Sequence, residues 1–181
     1  MINYANPKEA LSNNAQKARS RHIWEKRILN IGQIIAIMAF IIIWMSDSFI
    51  FNFSDFLSKY VPWWILILIA TPFWIFAVYL RVNGMKVVFR GRSKEPILIT
   101  SGVFHITRHP NYLSLLLFYI GLIISTLSLI SLILFFLSFI YYNFIANFEE
   151  KYLLETFGDK FREYQRLVPK WGIKRINRIN K

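Results

Sequence analysis

The sequence predicts an all-α integral membrane protein of about four transmembrane helices, and three observations predict it. Across 181 residues, 55% are hydrophobic and the mean hydropathy is +0.39, high for a chain of one-domain length. Three regions are apolar for as long as a bilayer core of about 30 Å demands, roughly 20 residues per helix: Ile28 to Trp44, extendable to Phe51; Val61 to Val82; and Tyr112 to Ala146. Lys and Arg alternate between the connecting segments as they do in loops retained in the cytoplasm.

Each element follows in order. Residues 1–27 are polar and basic, with Lys8, Lys17, Arg19, Arg21, Lys26 and Arg27, and read as a cytoplasmic tail or an interfacial helix. They are too long and too polar for the n-region of a cleaved signal, and no small-residue cleavage site follows the first apolar run, so that span is expected to be retained. Residues 28–82 hold two spans, joined by a loop whose charges are Asp47, Asp55 and Lys59.

Residues 83–111 are again basic, with Arg81, Lys86, Arg90, Arg92, Lys94 and Arg108 in or beside them. Gly84, Gly91, Pro96, Gly102 and Pro110 punctuate the stretch, which reads as a structured loop more than a helix. Pro110 suits a first helical position, where its missing N–H leaves nothing unpaired, so the third span starts there.

The stretch Tyr112 to Ala146 is uncharged, too long for one span, and broken by Gly121, Ser125, Thr126, Ser128 and Ser131. It reads as a helical hairpin with arms of about 15 to 18 residues, short unless tilted or packed. The C-terminal segment carries nine basic residues from Lys151 to Lys181. Four spans with both termini in the cytoplasm fit this alternation, and a basic stripe on anionic headgroups explains the net charge of +12 without nucleic acid. The absence of cysteine excludes disulfides, thiol nucleophiles and Cys-based metal sites, and no metal is expected.

The chemistry concentrates where the hairpin meets the inner surface. Arg108 and His109 stand at the positive N-terminal end of the third span, unfavourable for cations unless an anion lies between them. Glu149 and Glu150 follow directly on the apolar part of the fourth span. Antiparallel arms make these two ends neighbours, so Arg108 and His109 are expected to face Glu149 and Glu150, an ionisable cluster at membrane depth.

"LITSGVFHITRHPNY", followed one hairpin later by "EEKYLLETFGDKFREYQRLVP", closely resembles the isoprenylcysteine carboxyl methyltransferases and related phospholipid N-methyltransferases, over roughly residues 97 to 170. The resemblance implies an integral membrane enzyme using S-adenosylmethionine on a lipid or lipidated small-molecule substrate that enters from the bilayer. Residues 83–181 would form the catalytic core, in which the connecting loop, hairpin ends and C-terminal segment enclose the cofactor.

Carried over residue by residue, Arg108, His109, Pro110 and Tyr112 would line the cofactor from one side and Glu149 and Glu150 from the other, with Arg108 and Glu150 the expected catalytic pair. An isoprenylcysteine-type carboxylate is the first expected acceptor; a phospholipid amine is the alternative, with His109 or a Glu as base, and a non-catalytic scaffold is the third reading. Ser114 stands where the family has Gly, and Phe104 and Phe161 where it has Tyr. Asn143 and Asn147 occupy a turn where the isoprenylcysteine enzymes carry arginines. Of the remaining polar and aromatic residues, His22 is expected at headgroups and His105 in a loop hydrogen bond. Tyr164 and Trp171 are expected to pack on the membrane surface, and the Asn pair to satisfy backbone or water.

Overall fold

The computed structural model describes residues 27–51, 53–54, 56–90 and 97–172. The N-terminal segment up to Lys26 with His22, the basic residues Arg92 and Lys94, and the tail beyond Gly172 lie outside the described residues. The chain divides into two compact units, Met1–Ile42 and Ile43–Lys181.

Helix α1 runs over Arg27–Phe51 and crosses from one unit into the other, its last six residues, Ser46–Phe51, wound as a π-helix. Within the first unit its described residues are largely apolar and outward-facing, with Ile28, Ile34 and Ile35 each more than 60% exposed, as a lipid-facing surface requires.

The second unit holds the remaining elements: a 3₁₀ turn at Phe56–Tyr60, α2 over Trp63–Arg90, a second 3₁₀ turn at Gly102–His105, α3 over Pro110–Thr126, α4 over Leu129–Phe157 and α5 over Asp159–Leu167. All the regular elements among the described residues are helical, and the helices over Arg27–Phe51, Trp63–Val88 and Leu129–Phe157 are long and apolar enough to cross a membrane. This is an all-α membrane protein. The fourth, α3, has 17 residues, about 25 Å at 1.5 Å per residue, a little short of the bilayer core.

The expected hairpin is present, and its turn is chemically specific. Leu127 adopts a left-handed conformation, φ 53° and ψ 30°, and its N–H closes on Ile123 at 2.7 Å. Ser128 then caps α4, its hydroxyl oxygen accepting from the Ser131 N–H at 3.1 Å. The buried Asp47 carboxylate accepts from the Ser54 hydroxyl and from the Ser128 hydroxyl. The end of α1 is thereby tied to the first loop and the hairpin turn.

Two expectations need correction. Residues 83–90 are helical and belong to α2. Asn83–Gly84 does not stop the helix, because Gly84 is where the start of α3 comes close: a Cβ there would lie 2.9 Å from Asn111 Oδ1. The glycine serves helix approach, and tertiary packing overrides its weak helix propensity. The arms of the hairpin are also unequal, 17 against 29 residues, since α4 continues as helix beyond its apolar part and carries the Glu pair with it.

Candidate functional site

The site is assembled at one end of α3 and α4. His109 precedes α3 with φ −124° and ψ 62°, and its side chain makes no capping bond; with Pro110 at the first helical position no donor is left wanting there. The ring is 6% exposed and instead turns across to α4, where its Nε2 lies 2.9 Å from Glu150 Oε1. The Arg108 guanidinium reaches the same oxygen at 3.4 Å, and His109 Nδ1 lies 3.8 Å from Glu149 Oε2. The other oxygen of Glu150 accepts from Gln165 Nε2 of α5 at 3.0 Å. Elements from three parts of the sequence thus converge on one carboxylate, which offsets the positive end of α3.

Above this ionic layer, aromatic rings stack into the membrane interior. His109 lies 5.7 Å from Tyr112 with an interplanar angle of 18°. Tyr112 lies 5.6 Å from Tyr142 at 16°, and the Tyr119 and Tyr142 hydroxyls meet at 3.1 Å. Tyr112 also contacts Glu149 through its hydroxyl.

The C-terminal segment closes the other flank. Its backbone is bolted to the loop before α3: the Arg108 N–H donates to the Pro169 carbonyl at 3.0 Å, and the Thr107 hydroxyl to the Lys170 carbonyl at 3.0 Å. Phe161, Tyr164 and Val168 form a buried cluster with Leu98, Leu153, Leu154 and Phe157 around them. Gly158, with φ 54° and ψ −124°, takes a positive-φ conformation that favours glycine, and α5 folds back from α4 there.

Tyr164 is therefore a core residue and not a surface one. Its hydroxyl donates to the Phe104 carbonyl at 2.6 Å, and burial pushes the phenol up to about 12, with Glu150 adding to the rise and Arg108 opposing it. Trp171 likewise leaves the membrane surface: it packs 5.8 Å from His109 and donates to Asn143 Oδ1 at 3.1 Å. The Asn pair does not merely satisfy backbone or water, since Lys170 Nζ donates to Asn143 Oδ1 at 2.9 Å and Asn147 Oδ1 at 2.6 Å. Burial lowers the Lys170 ammonium below the usual lysine range, with Glu150 pulling the other way.

The residues singled out by sequence, Arg108, His109, Pro110, Tyr112, Glu149 and Glu150, are all brought together. Gln165, Lys170, Trp171 and Tyr142 were not readable as members. The first three sit on a segment whose return to α3 has no local signal, and Tyr142 lies inside a uniformly apolar run. His105 is exposed at the end of its 3₁₀ turn. A separate cavity of about 400 Å³ lies near the opposite end of α3, lined by Ser48, Ser58, Trp63, Leu66, Ser125 and Thr126 among others; its lining has no ionisable group.

An all-α membrane protein with a buried ion cluster where a hairpin leaves the bilayer defines the class, and comparison with known proteins narrows it. The sequence profile of the family described as phospholipid methyltransferase matches residues 62–160, which include α2, the connecting loop, the hairpin and the Glu pair. The chain is 29% identical over 111 residues to a protein-S-isoprenylcysteine O-methyltransferase of Schizosaccharomyces pombe, covering 55% of this chain and 46% of that protein. It is 34% identical over 89 residues to protein-S-isoprenylcysteine O-methyltransferase B of Arabidopsis thaliana, covering 48% and 44%, and 32% identical over 80 residues to the Saccharomyces cerevisiae protein of the same kind, covering 42% and 33%. The chain spans less than half the length of these curated relatives. It belongs to the phospholipid methyltransferase family, and the relatives it is similar to over part of their length are protein-S-isoprenylcysteine O-methyltransferases.

Proposed function

We propose that the protein is a membrane methyltransferase that uses S-adenosylmethionine to methylate the carboxylate of an isoprenylcysteine-type, lipid-embedded acceptor. The observation that carries the reading is the closure of Arg108 and His109 onto Glu150 beside one donor left over: the Arg108 Nε is buried and has no hydrogen-bond partner. A buried unpaired guanidinium N–H is costly, and a ligand carboxylate satisfies it.

The residues present fit the cofactor on chemistry. Arg108 offers the fork that carboxylates favour, Glu149 and Glu150 the anions an ammonium needs, and the His109, Tyr112 and Trp171 rings the faces a sulfonium prefers. When bound, the cofactor supplies the transferable methyl group on that sulfonium. The protein's part in an in-line displacement is alignment and exclusion of water. Glu150 holds Arg108 and His109 in place, the stacked tyrosines seal the membrane side, and the bolted C-terminal segment closes the aqueous side. A carboxylate acceptor needs no base, so no side chain here is assigned a proton transfer.

The family description favours one second reading, a phospholipid amine acceptor, for which His109 would be the base. The cytoplasmic side is the proposed side of the site, on the basic loops that flank it, with residues 83–181 as the catalytic core.

Calorimetric titration of the detergent-purified protein with S-adenosylmethionine and S-adenosylhomocysteine tests the proposal. Saturable binding is expected, lost in Glu150→Ala and in Arg108→Gln while the helical circular dichroism is kept. Folded wild-type protein that binds neither ligand would leave a scaffold. Label transferred to a prenylated cysteine as a base-labile ester supports the carboxylate reading, and base-stable label on phosphatidylethanolamine supports the amine reading.

A further inference from the structure

One face of α4 looks outward along its length. Ile133, Leu137, Ile140 and Phe144 are 62%, 58%, 65% and 61% exposed, and their spacing of three and four residues puts them on a single ridge. The next position on that ridge is Asn147, exposed in turn, where the apolar run gives way to the Glu pair. Lys170 Nζ stands at that junction, on Asn147 Oδ1 and Asn143 Oδ1.

Both of those partners are neutral amides, so they orient the ammonium without pairing its charge; Glu150 attracts it but is in contact with Arg108 and His109, and the Trp171 ring lies 5.8 Å away. A third contact, to the Asn143 carbonyl, is 3.5 Å long, at the limit of a hydrogen bond, which leaves one N–H for another acceptor. Nor is the side chain needed to dock its own segment, since the backbone bonds of Thr107 and Arg108 to Lys170 and Pro169 already do that. Trp171 spans the short distance inward, 5.7 Å from Phe139 on α4 and 5.8 Å from His109.

Charge balance points the same way. Arg108 and Lys170 against Glu149 and Glu150 sum to zero with a neutral His109 and to +1 with a protonated one, and the proposed cofactor, with a sulfonium, an ammonium and a carboxylate, adds one positive charge in either case. An anionic acceptor offsets that added charge in a partly desolvated site, whereas a cationic acceptor adds to the imbalance.

We propose that Lys170, held by Asn143 and Asn147, is the specificity-determining seat for the anionic head of a single-tailed amphiphile that reaches the His109–Glu150 cluster along the lipid-facing ridge of α4. This rests on the methyltransfer reading of that cluster and assigns its acceptor subsite. The head group is recognised by one charged hydrogen bond from Lys170, and the tail by the ridge.

The test compares binding of three single-tailed probes to the full-length protein in detergent: an S-prenylated cysteine with a free carboxylate, its carboxamide with the same tail, and a lysophosphatidate. The wild type is expected to prefer the carboxylate over the carboxamide by roughly tenfold or more, the factor one hydrogen bond to a charged group supplies. Lys170→Gln should bring that ratio towards one, and Lys170→Arg should keep it.

Asn147→Asp leaves the lysine in place but sets a carboxylate against it, and should erase the preference as Lys170→Gln does, which guards against a simple folding defect. A preference that survives in Lys170→Gln overturns the proposal. So does loss of S-adenosylmethionine binding together with the preference, since Lys170 would then belong to the cofactor or to the fold. Wild-type protein that binds no S-adenosylmethionine would sink the methyltransferase reading by itself, while the headgroup comparison still decides Lys170. The tighter of the carboxylate and the lysophosphatidate identifies whether the anion comes from a prenylated cysteine or from a phospholipid.

Discussion

Tyr164 shows how a single side chain couples the fold to the ionic layer. Its hydroxyl must stay protonated to donate to the Phe104 carbonyl, and burial favours that neutral form, raising the phenol from 10.0 to about 12. The folded chain therefore holds this proton more tightly than the unfolded one. The stability it contributes is complete below pH 10 and drains away as pH rises from 10 towards 12. Tyr164→Phe should cost about 1 kcal/mol at pH 8, the worth of one hydrogen bond, and its unfolding midpoint should decline less steeply than that of the wild type between pH 10 and 12. Parallel declines in a detergent thermal scan would show that Tyr164 does not govern this limb. The motif residues were legible at this scale because charges beside an apolar run are conspicuous: Arg108, His109, Glu149 and Glu150 have no ordinary reason to stand together at membrane depth. Tyr164 and Trp171 were not, because an aromatic residue near a bilayer reads equally as an interfacial anchor, and only the return of the C-terminal segment over Thr107 and Arg108 turns them inward.

Between elements, helix packing in this protein depends on small residues where larger ones would separate the backbones, as in membrane bundles generally. Gly121 of α3 is the sharpest case. A Cβ there would come within 2.2 Å of Trp74 Nε1 and 2.5 Å of its Cδ1, so the α2 indole lies flush against the α3 backbone. Gly121→Ala must displace a bulky ring and should destabilise by about 1–3 kcal/mol, the range for overpacking a tight contact; an unchanged midpoint in detergent would mean the indole swings away freely. From the sequence, Gly121 suggested an interruption in an apolar run and Gly84 a loop. Both instead mark close helix approach, which periodicity cannot distinguish from a break, because the partner (Trp74 in one case, Asn111 in the other) lies tens of residues away. The hairpin itself was legible from its Ser and Thr residues, and the start of α3 from Pro110. The extension of α4 past its apolar part was not, because hydropathy reports where lipid ends and says nothing about where the helix does.

For the whole molecule, the open variable is sidedness, and the charge distribution makes it testable. The end of α1 and its connection to α2 carry Lys59 as the single basic residue beside Asp47 and Asp55, while the end of α2 with its connection to α3 (Arg81, Lys86, Arg90, Arg92, Lys94 and Arg108) and the segment from Lys151 onward are strongly basic. Since loops rich in Lys and Arg are retained in the cytoplasm, we propose that the His109–Glu150 end lies inside and the Asp47–Ser128 end outside. A chain with no cysteine allows each side to be read with one introduced thiol and no background. Tyr60, 84% exposed in the first connection, and Ser101, exposed just before the second 3₁₀ turn, lie towards opposite ends of α2 and α3. Tyr60→Cys should react with a membrane-impermeant maleimide on intact cells, and Ser101→Cys only after permeabilisation. The reverse pattern would put the ion cluster on the outer face, away from any acceptor made in the cytoplasm, and would remove the charge alternation as the force that orients the chain. Labelling of both on intact cells would show that this hairpin does not separate the two sides, and the four-span architecture would fall with it.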